Sequence, residues 1–234
     1  MNSDMNIAVF TTHKAASMFI FKLCGALAKE KGIALHSING LPRSPHYDYS
    51  LGLADFSGAT GCFSPLRFYQ PVPASFKTIL HLRDPRDVMT SFYYSAAYSH
   101  ELITQENVDN RADALRMGID DYVLDRSDLV KERYEQYECI LDSSVFVRYE
   151  EMVTDFESWL RKFIVPFEFG QPDAVVAKFC KMFEHEFDVS SEDIYRHKRQ
   201  VLPGDHRVKL KPETIKELTD KFSKVLKLYG WMIL

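Results

Sequence analysis

The sequence has no run of about 18 apolar residues, so no helix in it is expected to span a bilayer. It opens without the basic, then apolar, then small-residue order of a secretory leader. Cysteine is sparse: Cys24, Cys62, Cys139 and Cys180 are scattered and form no Cys-x-x-Cys pair. That spacing argues against a disulfide framework or a zinc site and suits reduced thiols in a cytoplasmic setting. No clustered His, Cys and Asp residues have metal-ligand spacing, so no metal is expected. A surplus of positive charge is also missing. With 29 Lys and Arg against 33 Asp and Glu the net charge is −4, which disfavours general nucleic-acid binding. The Gly-x-x-x-x-Gly-Lys-[Ser/Thr] pattern of a Walker loop is absent, as are internal repeats, low-complexity tracts and linkers.

What is present is a chain of 234 residues, 46% hydrophobic and 13% aromatic, enough to fill one sizeable core. We expect a single domain over residues 1–234. Charge is unevenly spread. Glu101 to Glu157 holds sixteen acidic and six basic residues, and Lys198 to Lys227 nine basic and four acidic. Lys216, Lys221, Lys224 and Lys227 read as a solvated helix face. Asn6–Phe10, Ile33–His36, Lys77–Leu82 and Val145–Arg148 read as strands. Met18–Lys31, Pro85–Tyr98, Asp109–Leu141, Thr154–Phe163, Pro172–Phe183 and Pro212–Tyr229 read as helices, with Gly32 and Gly230 as stops. Asn39–Ser75 is rich in Pro, Gly, Ser, Tyr and Asp without clear period. It reads as a long ordered loop over a site. Strands alternating with helices imply an α/β fold, a parallel sheet with helices on both faces.

Two strand–turn–helix junctions carry the chemistry. In His81-Leu82-Arg83-Asp84-Pro85-Arg86-Asp87-Val88-Met89-Thr90-Ser91-Phe92-Tyr93, Arg83 falls at a strand end and Ser91 in the following helix. Both are suited to one anion at the carboxyl edge of a sheet. Alternatively, the Arg-Asp-Pro-Arg-Asp cluster only pairs its own charges. Thr11-Thr12-His13-Lys14-Ala15-Ala16-Ser17 joins the first strand to the first helix and places a lysine at a helix N-terminus, a second anion site. Two further segments, Ser144–Met152 with Tyr149 and Arg199–Arg207 with Gly204 and Asp205, follow in order.

Together these four segments resemble those of sulfotransferases that use 3′-phosphoadenosine 5′-phosphosulfate (PAPS). The resemblance spans Thr11 to Arg207 and implies a three-layer, P-loop-like parallel sheet flanked by helices. It implies that the Lys14 loop, with Ala15, Ala16, Ser17 and Met18, holds the 5′-phosphosulfate. It also implies that Phe19 and Tyr149 lie by the adenine, and that Arg83, Ser91, Arg199 and Gly204 hold the 3′-phosphate. Departures from the family pattern are concentrated in the loop: His13 replaces proline, Ala15 serine, Ala16 glycine and Met18 a threonine. Alanine tolerates positive φ poorly, so Ala16 must either take ordinary helical angles or bear strain. In the last segment Gln200, Val201 and His206 depart as well.

The implied reaction is in-line sulfuryl transfer to a hydroxyl or amine acceptor without a metal, with adenosine 3′,5′-bisphosphate as product. Lys14 is placed to stabilise the leaving oxygen. The Thr-His-x-Pro segment that carries a base in many members is missing, and Gly61–Arg67 offers none. His36, at the end of the second strand, is the candidate base; the bland alternative is a strand-end histidine bonded to backbone. His46, Asp48 and Asp55 come next, with His81 behind Arg83. Two other readings stay open at this point, a P-loop kinase and an inactive nucleotide-binding scaffold.

Overall fold

A computed structural model describes residues 5–38, 44–48, 51–187 and 201–231. In chain order the elements are β1 (Asn6–Thr11), α1 (Ser17–Lys31), β2 (Leu35–His36), β3 (Tyr47–Asp48), β4 (Leu53–Ala54), β5 (Gly61–Leu66), β6 (Lys77–Leu82), α2 (Pro85–Tyr94), α3 (Gln105–Gln136), β7 (Ser144–Arg148), α4 (Tyr149–Thr154), α5 (Phe156–Phe163), α6 (Pro172–Met182), α7 (His206–Lys209), α8 (Pro212–Lys221) and α9 (Ser223–Leu228). They form two compact units, residues 1–83 with 139–184 and residues 84–138 with 185–234.

The first unit is built on a five-stranded sheet in the order β2-β5-β1-β6-β7. Every pairing in it is parallel. β1 and β6 read as near-continuous buried runs, as parallel strands covered by helices on both faces do. The apolar face of α1 buries Ile20, Leu23 and Leu27, and Trp159, Phe163 and Phe179 add aromatic volume from α5 and α6. β2 and β5 lie to one side of β1, and β6 and β7 to the other. The strand order therefore reverses between β1 and β6, and their carboxyl ends are where such a sheet holds ligands.

The expectation of loop from Asn39 to Ser75 is corrected by β5, which is fully buried and sits next to the central strand. Pro65 hides it from a sequence reading, because proline removes a donor from the ladder. The register shows how the strand tolerates it. Ala8 faces Phe63 and Phe10 faces Leu66, so β5 carries one extra residue at Ser64–Pro65, a bulge that needs no donor there. The segment also holds the antiparallel pair β3–β4. Gly61 opens β5 with φ 131°, and a Cβ there would lie 2.5 Å from the Ala34 carbonyl oxygen, so only glycine fits.

The second unit is helical. Three expected helices are divided: a π-helical turn at Ser95–Ser99 follows α2, Gly118 breaks α3 with non-helical angles, and Phe222 separates α8 from α9. Tyr134, Tyr137, Leu218, Phe222 and Leu226 are buried, and the Tyr229 hydroxyl donates to the Tyr134 carbonyl at 2.8 Å. The uneven charges meet here. Lys221 pairs with Asp128 at 3.0 Å and Lys224 with Glu138 at 2.6 Å, so these lysines face the acidic α3 region rather than only solvent. No described helix is long and apolar enough to cross a membrane. Among the described residues no group of three His, Cys, Asp or Glu is arranged to hold a metal.

Candidate active site

The turn between β1 and α1 departs from relaxed backbone geometry at two residues. Lys14 has φ 66° and Ala16 has φ 55°, both left-handed, with Ala15 between them. Ala16 therefore bears strain rather than adopting helical angles. Each such residue costs about 1–3 kcal/mol and persists only where its surroundings impose it. Alternation of this kind turns successive backbone N–H groups into an anion-binding concavity. α1 begins directly after it, with no side-chain cap and no acidic residue in its first turn. Its positive end is thus left without a built-in counter-charge.

His81 of β6 and Arg83 just beyond its end hold the strained loop in place. His81, which pairs in register with Thr11, is completely buried, and its Nε2 donates to the Ala15 carbonyl at 3.1 Å. Burial pushes its pKa down to about 3 against the opposing effect of that bond, so the ring is neutral. Arg83 Nη1 donates to the Lys14 carbonyl at 3.1 Å, and its guanidinium stacks over the Tyr149 ring at 4.4 Å.

Three cations gather at this edge of the first unit. Burial first, then the charges of Arg67 and Arg83, lower the Lys14 pKa to about 8. Arg67 leaves the end of β5, the strand beside β1. Its Nη2 rests on the Met18 sulfur at 3.7 Å, and its buried Nε has no hydrogen-bond partner among the described residues. Like charges held together in a partly desolvated site are unfavourable unless an anion joins them.

The Arg-Asp-Pro-Arg-Asp cluster divides its charges. In the second unit, Asp84 caps α2 by accepting from the Arg86 amide at 2.9 Å and takes a two-pronged bond from the Arg86 guanidinium at 3.0 and 2.7 Å. Asp87 accepts from the Gly204 amide at 2.7 Å, the His206 amide at 3.0 Å and His206 Nδ1 at 2.6 Å. So Asp84, Arg86 and Asp87 are structural, while Arg83 is turned to the Lys14 loop. Ser91 stands one helical turn beyond Asp87 in α2, half-buried. Asp87 thereby fixes the Gly204 turn to the helix that carries Ser91. Gly204 has φ 90°, a conformation that a side chain would strain.

The family model for the sulfotransferase domain matches residues 68–230, more than half of the chain. The chain belongs to the sulfotransferase family. No curated protein sequence matches this sulfotransferase. Among the solved structures that share its fold are two in complex with PAP. One is mouse sulfotransferase SULT7A1 complexed with PAP, 16% identical with a TM-score of 0.56, the match covering 96% of this chain and 84% of that one. The other is retinol dehydratase in a complex with retinol and PAP, 14% identical with a TM-score of 0.58, covering 97% and 82%.

Other expected positions in this sulfotransferase fall as follows. Ala15 is fully buried and Ser17 opens α1. Phe19 is buried against Phe183 at 5.3 Å and Phe156 at 5.9 Å, so its ring packs in the aromatic core of the first unit. Tyr149 carries Arg83 on its face. Arg199 lies outside the described residues. His36 has both ring nitrogens engaged: Nε2 donates to the Thr60 carbonyl at 3.1 Å, and Nδ1 faces the Ser44 hydroxyl at 3.2 Å. Its ring stacks on Phe63 at 4.5 Å and meets His46 edge-on at 4.9 Å. Burial chiefly, with His46 nearby, lowers its pKa in spite of the Thr60 bond. With Nε2 as donor, the free lone pair of neutral His36 points to the Ser44 hydroxyl. Arg67 and the loop-holding role of His81 are the positions a sequence reading misses. A basic residue directly after a buried strand was the available signal for Arg67, and it was lost with the strand itself.

Proposed function

We propose that the protein moves a sulfuryl group from PAPS to a hydroxyl or amine acceptor, through one functional domain that comprises the whole chain. The observation that carries this reading is the cluster of Lys14, Arg67 and Arg83 around a strained loop, at the carboxyl ends of β1, β5 and β6, in a chain of the sulfotransferase family. The solved relatives with PAP support the choice of donor. The residues present fit a polyanion: a partly buried guanidinium without an acid partner among the described residues lies beside a helix start without a counter-charge.

PAPS supplies an activated sulfuryl group on a leaving bisphosphate. The chain's part is to bind, orient and neutralise. Lys14 holds a full positive charge at neutral pH beside α1, where it opposes negative charge that grows on a departing oxygen. Arg83 and His81 hold the carbonyls of Lys14 and Ala15 and so fix the loop that carries Lys14. Each of Ser91, Arg83, Arg199 and Gly204 is proposed as a contact of the 3′-phosphate on the family likeness, and each is tested by its own variant. His36 is proposed as base through its Nδ1, with Ser44 between it and an acceptor; His46, half-buried against the same ring, is the next in line. The cytoplasm is the proposed compartment.

Labelled PAPS offered with carbohydrate, phenol, lipid and peptide acceptors tests the reading. Transfer of label to one class is expected. A chain that is stabilised by adenosine 3′,5′-bisphosphate yet transfers to none is a scaffold, and one stabilised by ATP-Mg²⁺ instead is a kinase.

A further inference from the structure

We propose that Arg67 is a direct ligand of the 5′ end of the donor, forming with Lys14 a two-cation clamp across the start of α1; this rests on the PAPS reading above. Three observations converge. Arg67 is the first residue after β5, so the sheet delivers it to the same edge as Lys14, whose strand β1 is its neighbour. Its guanidinium reaches over the first turn of α1 and is supported there by the sulfur of Met18, a side chain that is 47% exposed and brings no donor of its own. Its Nε is buried, and no carboxylate pairs with it among the described residues.

A guanidinium stays protonated at any ordinary pH. Leaving it partly desolvated, without an acid partner among the described residues and close to a second cation, is costly. If Arg67 only packed against Met18, an uncharged side chain of similar length would do so at lower cost. The arrangement makes physical sense when a multiply charged anion is the missing partner. A planar fork then supplies the parallel donors that phosphate and sulfate oxygens accept. Desolvation already lowers the Arg67 pKa from its usual range, and its charge in turn lowers that of Lys14. One bound anion relieves both.

Calorimetry with two ligands tests this. Adenosine 3′,5′-bisphosphate carries the 5′-phosphate, and adenosine 3′-monophosphate lacks it. Arg67→Met should weaken the bisphosphate about 10- to 100-fold, the size of one or two hydrogen bonds to a charged group, and leave the monophosphate unchanged. Arg67→Lys should fall between, keeping charge and losing the fork. The melting temperature of Arg67→Met should equal or exceed that of the unaltered protein, which excludes misfolding as the cause. Unchanged bisphosphate affinity in Arg67→Met, or equal losses for the two ligands, overturns the assignment while the PAPS reading stands. An unaltered protein that binds neither ligand overturns the PAPS reading, and the clamp with it.

Discussion

The Lys14 turn and the Asp87 junction are both strand- or helix-end devices rich in polar groups, yet they are built on opposite principles. Around Lys14 the backbone is left-handed at two residues, and three cations stand close together. Around Asp87 one carboxylate, 1% exposed, accepts three donors from Gly204 and His206. The first site is strained and crowded with like charge, and at the second a buried carboxylate is enclosed by donors. Backbone strain and clustered like charge are features that functional sites concentrate. A buried carboxylate held by several donors fixes one segment of the chain on another.

That contrast can be broken experimentally. Removing the cation at the first site should destroy function and spare the fold: Lys14→Ala should lose about 10²–10³ in turnover, as for other removed transition-state donors. Its melting temperature should not fall, because a crowded, buried charge has been taken away. A variant with full turnover excludes Lys14 from the transition state, and one that unfolds would make the loop structural.

At the second site the order of effects should reverse. Asp87→Ala leaves two amides and a ring N–H buried without an acceptor. A loss of about 3 kcal/mol or more is expected, at about 1–3 kcal/mol for each unsatisfied group. Denaturant unfolding measures it. A change under 1 kcal/mol would mean that the Gly204 turn is held by other contacts.

Titration sharpens the difference further. Lys14 is charged below about pH 8 and neutral above it. Affinity for adenosine 3′,5′-bisphosphate should therefore fall about tenfold per pH unit above 8, until the higher pKa of the bound lysine is passed. Lys14→Gln should bind weakly with a flat profile. Stability has its own sign. The folded pKa lies below the usual 10.5, so the unfolded chain binds more protons between about pH 8 and 10.5. The unaltered protein should gain stability relative to Lys14→Gln as pH rises through that window, and give it up as pH falls back to 8. A pH-independent difference between the two proteins would contradict the crowding of Lys14.

The smallest effect concerns strain alone. Ala16→Gly relieves a left-handed alanine at the price of a looser unfolded chain, and a net stabilisation of about 0.5–1 kcal/mol is expected. Destabilisation would indicate that the alanine methyl contributes packing that outweighs the strain.

Much of this was legible from the sequence because it is local. The apolar strand Asn6–Phe10, the helix that Gly32 stops, and the Asp84-Pro85 start of α2 follow from periodicity and capping chemistry within a few residues. Lys14 and Arg83 could be singled out because each lies beside such a boundary. β5 was hidden because its Pro65 offends the local rule for a central strand, and only the bulge opposite β1 removes the offence. Arg67 disappeared with it.

By itself, then, the sequence determined which residues stand at the carboxyl ends of strands, since hydrophobic period and breaker residues act over short distances. Tertiary structure alone decided what each one meets. Arg83 turning to the Lys14 carbonyl, Asp87 to the Gly204 amide and Arg67 to Met18 are contacts between residues 69, 117 and 49 positions apart. No local propensity encodes such pairings; they exist because the parallel order of β5, β1 and β6 and the docking of the Gly204 turn on α2 bring those ends together.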